Sequence, residues 1–237
     1  NQLNELTSDY GALDILWLDG GWVTGDDVNL DSVLEKARQK HPGLIAVDRS
    51  IRGKNENYQT PERGIPAIQL NYPWESNIPL SNDWGWVPNA PYKSSQKVVA
   101  LLAEIVAKGG CFLLGVGPTP DGLIEKPVVE RLHRVGEWLR VNGEAIYSTR
   151  TTPIYNDGKT WFTANKNGKT LYAIYTIEEN EQIPATITWK GNIPQGRMLL
   201  LQNGKKVKYK VEGDTVIVQV PGNVRAESLV FSFNVKK

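Results

Sequence analysis

The sequence predicts an α/β region built on a parallel sheet, followed by an antiparallel β-sandwich. Three observations predict it. Short apolar runs alternate with stretches of helical spacing up to about Asn142, which implies parallel strands joined by crossover helices. After about Ser148 the helical spacing stops and runs alternating in period two take over. Turn signals such as Asn156-Asp157-Gly158, Asn167-Gly168, Asn203-Gly204 and Gly213-Asp214 punctuate those runs. The expected division is residues 1–148 and 149–237.

The elements follow in order. Leu13 to Leu18 is a mostly apolar run that stops at Asp19-Gly20-Gly21, as a buried strand ending in a turn does. Leu30, Val33, Leu34 and Ala37 have helical spacing over Leu30 to Lys40, and His41-Pro42-Gly43 ends the helix. Leu44 to Val47 is the next strand and runs into Asp48-Arg49. Residues 50–67 read as a long polar loop, and Ile68 to Asn71 as a weak strand. A helix capped by Ser94 or Ser95 extends through Lys108 and stops at Gly109-Gly110. Cys111 to Val116 is a strand, and Pro127 to Asn142 a helix with Gly143 just beyond it. The β region is expected to place strands at Trp161–Thr163, Thr170–Tyr175, Ala185–Trp189, Met198–Gln202, Lys206–Val211, Thr215–Val220 and Ser228–Asn234.

Composition narrows the function. The net charge of +1 over 237 residues gives no nucleic-acid footprint. No apolar run approaches the roughly 20 residues that span a bilayer. Cys111 is the one cysteine, so no internal disulfide forms. His41 and His133 lack metal-ligand spacing with another ligand type, and no metal or organic cofactor is expected. Eight tryptophans beside nine tyrosines are unusual. They fit either an aromatic core or a sugar site, because the flat C–H face of a pyranose stacks on a π surface.

In parallel α/β barrels the chemistry sits at the carboxyl ends of the strands. The polar residues at those ends are Asp19, Asp48 and Arg49, then Glu62 in the loop Tyr58 to Arg63, and Glu75 after the weak strand. Two carboxylates on separate strand ends suit glycoside hydrolysis, one attacking the anomeric carbon and the other protonating the leaving oxygen. The competing reading of Asp19 is a turn or cap residue, and of Glu62 and Glu75 an ordinary surface carboxylate. A phosphatase-type aspartate needs a second Asp two residues on, where Gly21 stands. Gly115-Val116-Gly117 lacks the further glycine and lysine of a phosphate loop.

A resemblance sharpens this. Leu16-Trp17-Leu18-Asp19-Gly20-Gly21-Trp22 resembles the nucleophile strand of the glycoside hydrolase family 29 α-L-fucosidases. Val47-Asp48-Arg49 resembles that family's next strand end, and Tyr58 to Glu62 its acid/base loop. Trp74-Glu75 with Asn82-Asp83-Trp84-Gly85-Trp86, Gly109 to Pro118 with Asp121-Gly122, and Gly136 to Leu139 with Asn142 to Tyr147 continue the match in order. It covers about residues 6–148. Gly115 stands where the family often has Asn, which removes one polar group from a strand end.

The resemblance implies a retaining α-L-fucosidase acting on fucosylated oligosaccharides or glycoconjugates. It implies Asp19 as nucleophile and Glu62 as acid/base, with Glu75 in reserve. Arg49 would contact sugar hydroxyls, Trp17 and Trp84 would wall the pocket, and Glu75 would lie near substrate. It also implies a secreted, periplasmic or lysosome-like location. A full eight-stranded barrel takes about 250 residues, and only about 148 precede the sandwich. The expectation is therefore α/β: the C-terminal half of a (β/α)8-like TIM barrel followed by a β-sandwich, with an N-terminal barrel segment as its partner. The rival readings are a catalytically inactive fucose-binding protein, a fragment that needs its other half for activity, and an inverting glycosidase.

Overall fold

The computed structural model describes residues 2–20, 22–48 and 54–235. It opens with α1 (Gln2–Leu6), β1 (Ile15–Trp17), α2 (Leu30–Lys40), β2 (Ile45–Asp48), β3 (Tyr58–Gln59) and β4 (Glu75–Pro79). Then come α3 (Ser95–Ala107), β5 (Cys111–Gly115) and α4 (Lys126–Asn142). β1, β2 and β3 pair in parallel, with Trp17 beside Val47 and Val47 beside Tyr58. β4 and β5 pair in parallel, with Glu75 beside Cys111. Parallel bridges from Gln59 to Trp74 and from Glu62 to Asn77 join the two groups. The five strands thus lie side by side in sequence order.

This corrects two expectations. Ile68 to Asn71 is not a strand; the strand forms at Glu75–Pro79 instead. The apolar run at 68–71 owes its character to packing, since Leu70 lies against the buried cluster of Trp74, Ile78 and Ile105. Gln69 meanwhile donates to the carbonyls of Ala107 and Thr152 at 3.0 and 3.2 Å, tying its loop to the end of α3. The loop 50–67 is not wholly irregular either. It contains β3, and its continuation follows β4, with Arg63 N–H donating to Asn77 O at 2.8 Å.

One face of this sheet is covered by helices. Leu16 and Ala46 pack with Leu30, Leu34 and Ala37 of α2, the apolar stripe that the helical spacing implied. Ser94 caps α3, accepting from Lys97 N–H at 3.2 Å. At its other end Gly109 takes φ +85° and Gly110 N–H donates to Ile105 O at 2.9 Å, the double reversal in which glycine avoids a Cβ clash. Gly110 is required a second time, because a Cβ there would lie 2.4 Å from the Trp74 ring. The opposite face stays open. Ile15, Trp17, Ile45 and Leu113 are 37–45% exposed along it.

The remaining strands are β6 (Asn156–Asp157), β7 (Thr160–Ala164), β8 (Thr170–Thr176), β9 (Thr186–Lys190), β10 (Gln195–Leu200), β11 (Lys205–Val207), β12 (Tyr209–Glu212), β13 (Thr215–Gln219) and β14 (Ser228–Asn234). They form a six-stranded sheet, order β11-β10-β14-β8-β7-β6, and a three-stranded sheet, order β12-β13-β9. Every pairing in both is antiparallel. The single strand expected over Lys206–Val211 is two. β11 pairs with β10, and two residues later β12 pairs with β13 in the other sheet. The chain bends there because Val207 and Tyr209 both turn into the shared core, as happens where a strand changes sheets.

The six-stranded sheet is apolar on both faces. Leu171, Ala173, Leu229 and Phe231 point toward Trp189, Val216 and Val218 of the small sheet. Tyr172, Ile174 and Val230 point the other way, onto Val98, Val99, Val135 and Trp138 of α3 and α4. Burial on both faces is why β14 reads as a nearly unbroken apolar run. Trp138 also donates its indole N–H to Ser228 O at 2.9 Å.

Candidate active site

The expected residues that the structure describes, Glu75 apart, lie at or beyond the carboxyl ends of β1, β3 and β4. Asp19 follows β1 by two residues and is exposed, and Gly20 N–H donates to its Oδ1 at 3.0 Å. Gly20 adopts φ +127°, a conformation few side-chain-bearing residues take, so the turn that presents Asp19 depends on it. Trp17 lies on the same open sheet face, two residues before Asp19. Its indole lies near the Tyr58 hydroxyl on β3 and holds that group's pKa down. Arg49 lies outside the described residues, as do Gly21 and residues 50–53.

Glu62 is exposed and is carried by the stretch that continues β3 along β4. The indole N–H of Trp84 donates to Glu62 Oε1 at 3.1 Å. Trp84 arrives on a strap, residues 82–86, that crosses the end of β5. The strap lies so close that a Cβ on Gly117 would sit 2.4 Å from Trp86 N. Gly115, the position read as a departure from the family pattern, lies under Trp84. A Cβ there would make ordinary contact with the ring at 3.6 Å.

Glu75 is placed differently. It is the first residue of β4, at the strand's amino end, half-buried and opposite Cys111. Burial raises its pKa above the usual carboxylate range. Burial also raises that of Tyr58, helped by the Glu75 charge and opposed by the Trp17 indole. Glu75, Tyr58 and Trp17 thus form a connected group on the open face.

The aromatic question splits by position. Trp74, Trp138 and Trp189 are buried core residues, while Trp17, Trp22 and Trp84 are exposed. Sequence reasoning missed Tyr58, Arg63 and Lys93 as parts of the site. Tyr58 and Arg63 flank Glu62 in the segment singled out for it, which was the available signal. Lys93, outside any motif, donates its ammonium to Pro79 O at 2.7 Å and Ser81 O at 2.8 Å and so anchors the base of the strap. Among the described residues no group of three or more His, Cys, Asp or Glu side chains is arranged to hold a metal ion.

A sequence model described as Alpha-L-fucosidase matches residues 1–144. Human plasma alpha-L-fucosidase is 33% identical over 189 residues, covering 73% of this chain and 40% of the relative. The Alpha-L-fucosidase of Branchiostoma floridae is 28% identical over 236 residues, covering 93% of this chain and 52% of the relative. Among solved structures, Alpha-L-fucosidase isoenzyme 1 from Paenibacillus thiaminolyticus superposes with a TM-score of 0.84 at 25% identity, covering all of this chain and 61% of the other. The Thermotoga maritima alpha-fucosidase in complex with fucose gives 0.77 at 27%, covering 98% and 54%. The chain therefore spans about two fifths to three fifths of the length of these relatives.

Proposed function

Because the chain belongs to the α-L-fucosidase family, we propose that it supplies the nucleophile and acid/base side of a retaining fucosidase site. Asp19 attacks C1 of an α-L-fucosyl unit while Glu62 protonates the departing oxygen. The β-linked fucosyl-aspartate is then hydrolysed by water that Glu62, now ionised, activates, so the sugar leaves with its α configuration retained. Trp17 and Trp84 wall the sugar, and Arg49 contacts its hydroxyls. The observation that carries this reading is the Trp84 indole on Glu62 at 3.1 Å. It joins an aromatic wall to a carboxylate at a strand end, two strands away from the strand that carries Asp19.

Glu75 begins β4 level with Thr60, two residues beyond the row of Trp17, Val47 and Tyr58. The acid/base role stays with Glu62 because Glu62 is the carboxylate that the Trp84 indole contacts. The open sheet face bearing Ile15, Trp17, Ile45 and Leu113 supports the further reading that these five strands are the C-terminal half of a (β/α)8-like barrel. A preceding barrel segment would cover that face and complete the sugar pocket. The substrates are fucosylated oligosaccharides or glycoconjugates, and the setting is secreted, periplasmic or lysosome-like. No described helix is long and apolar enough to cross a membrane.

Rescue chemistry on the complete protein tests the roles. Asp19→Gly loses nearly all turnover, and added azide yields β-fucosyl azide. Glu62→Ala loses most on substrates with poor leaving groups, by about 10²–10⁴-fold, and azide yields the α product. Opposite stereochemistry exchanges the two roles. Unchanged turnover in both variants overturns the assignment of Asp19 and Glu62, and fucose binding without turnover in the parent protein favours the inactive binding protein.

A further inference from the structure

Glu62, Arg63 and Trp84 form a closed circuit. Arg63 directly follows Glu62, and its backbone sits at φ +53°, a conformation uncommon for a residue other than glycine. Arg63 N–H donates to Asn77 O at 2.8 Å, which holds that backbone to β4. The side chain then reaches across to the strap. Its Nη1 donates to Asn82 O at 2.7 Å, and the guanidinium carbon lies 4.7 Å from the centre of the Trp84 ring. Trp84 returns the circuit to Glu62 through the indole hydrogen bond. Strain of this kind persists where surrounding contacts over-determine it, and it gathers at functional sites.

We propose that Arg63 is a positioning residue that fixes the strap so that the Trp84 indole holds the Glu62 carboxylate in its working orientation. This rests on the reading of Glu62 as acid/base. The guanidinium is suited to the task because one flat group stacks on a ring while its edge donates to a carbonyl. A lysine ammonium cannot do both in that geometry. Lys93 holds the chain just before the strap through Pro79 O and Ser81 O, whereas Arg63 contacts both the strap backbone at Asn82 and the Trp84 ring itself. Glu62 and Trp84 are both exposed, so polar and stacking contacts rather than core packing orient them.

The test compares Arg63→Ala, Arg63→Lys, Trp84→Phe and the double variant Arg63→Ala/Trp84→Phe in the complete protein. Two fucosides are used, one with a good aryl leaving group and one with a sugar leaving group. Arg63→Ala is expected to lower kcat on the sugar-leaving substrate roughly 10- to 100-fold, with a smaller loss on the aryl substrate and little change in KM. Trp84→Phe, which keeps the ring but removes the N–H, shows the same selectivity. The double variant is no worse than Trp84→Phe alone, since residues acting through one another are not additive. Arg63→Lys recovers only part of the loss. If Arg63→Ala reduces folded yield, Arg63→Lys and Trp84→Phe with their double variant carry the same comparison. Losses that multiply, losses equal on both substrates, or a rise in KM alone overturn the proposal. Glu62→Ala run alongside separates the two readings: no leaving-group dependence in that variant sinks the acid/base role itself.

Discussion

The six-stranded antiparallel sheet and the five parallel strands handle their two faces in opposite ways. β8 and β14 bury alternate residues in two different cores, one against the small sheet and one against α3 and α4. The parallel strands bury Leu16, Ala46 and Ile78 and partly bury Leu114 on the helix side, and leave Ile15, Trp17, Ile45 and Leu113 open on the other. Both regions look apolar in sequence. The sandwich spends its apolar residues on stability, whereas the parallel sheet leaves open a face that bears a tryptophan, a tyrosine and a glutamate.

Truncations break or sharpen this contrast. Phe231→Ala removes a fully buried ring packed in the Trp189 cluster and should cost about 3–5 kcal/mol in urea unfolding. Leu113→Ala, on the open face, should cost this chain about 0.5 kcal/mol or less. Equal costs would mean that the open face is covered in solution. A cost between these two is expected at the seam between sheet and helix: Gly110→Ala forces a methyl toward Trp74 and should cost about 1–3 kcal/mol.

The smallest effect is the pH dependence of Glu75. Its pKa is raised by burial, so between the unfolded and folded values the native state holds more protons than the unfolded one. Stability therefore falls as pH rises through that window. Glu75→Gln should match the parent near about pH 4 and melt higher than it near about pH 7.5. A Tm difference that is the same at both values would show that the carboxyl carries no such penalty.

Much of the fold was legible in the sequence because single-period patterns fixed it. α2 has the bounds that Leu30, Val33, Leu34 and Ala37 imply, and β14 covers Ser228–Asn234 as read. β4 was hidden because Glu-Ser-Asn-Ile-Pro has little intrinsic strand preference and forms only with β5 and the Glu62 loop as neighbours. The change of sheet at Lys208 was hidden because both halves keep the same alternation. At the site, Asp19, Glu62 and Trp84 could be named from motifs. The Trp84–Glu62 bond could not, since it joins residues 22 apart across two loops. Nor could Arg63, whose role rests on a backbone angle that no residue pattern encodes.

The six-stranded sheet also sets how the molecule breathes. Its central strands β8 and β14 are sealed by α3 and α4 on one side and by the small sheet on the other, and Trp138 is bonded across the seam. Their amides can reach solvent only when both layers part. They should exchange hydrogen for deuterium at the rate of global opening, whereas the edge amides of β1 exchange by local fraying. A nick near residue 148 would then release neither piece, because the seam that a protease sees as a linker is the part of the chain that opens last.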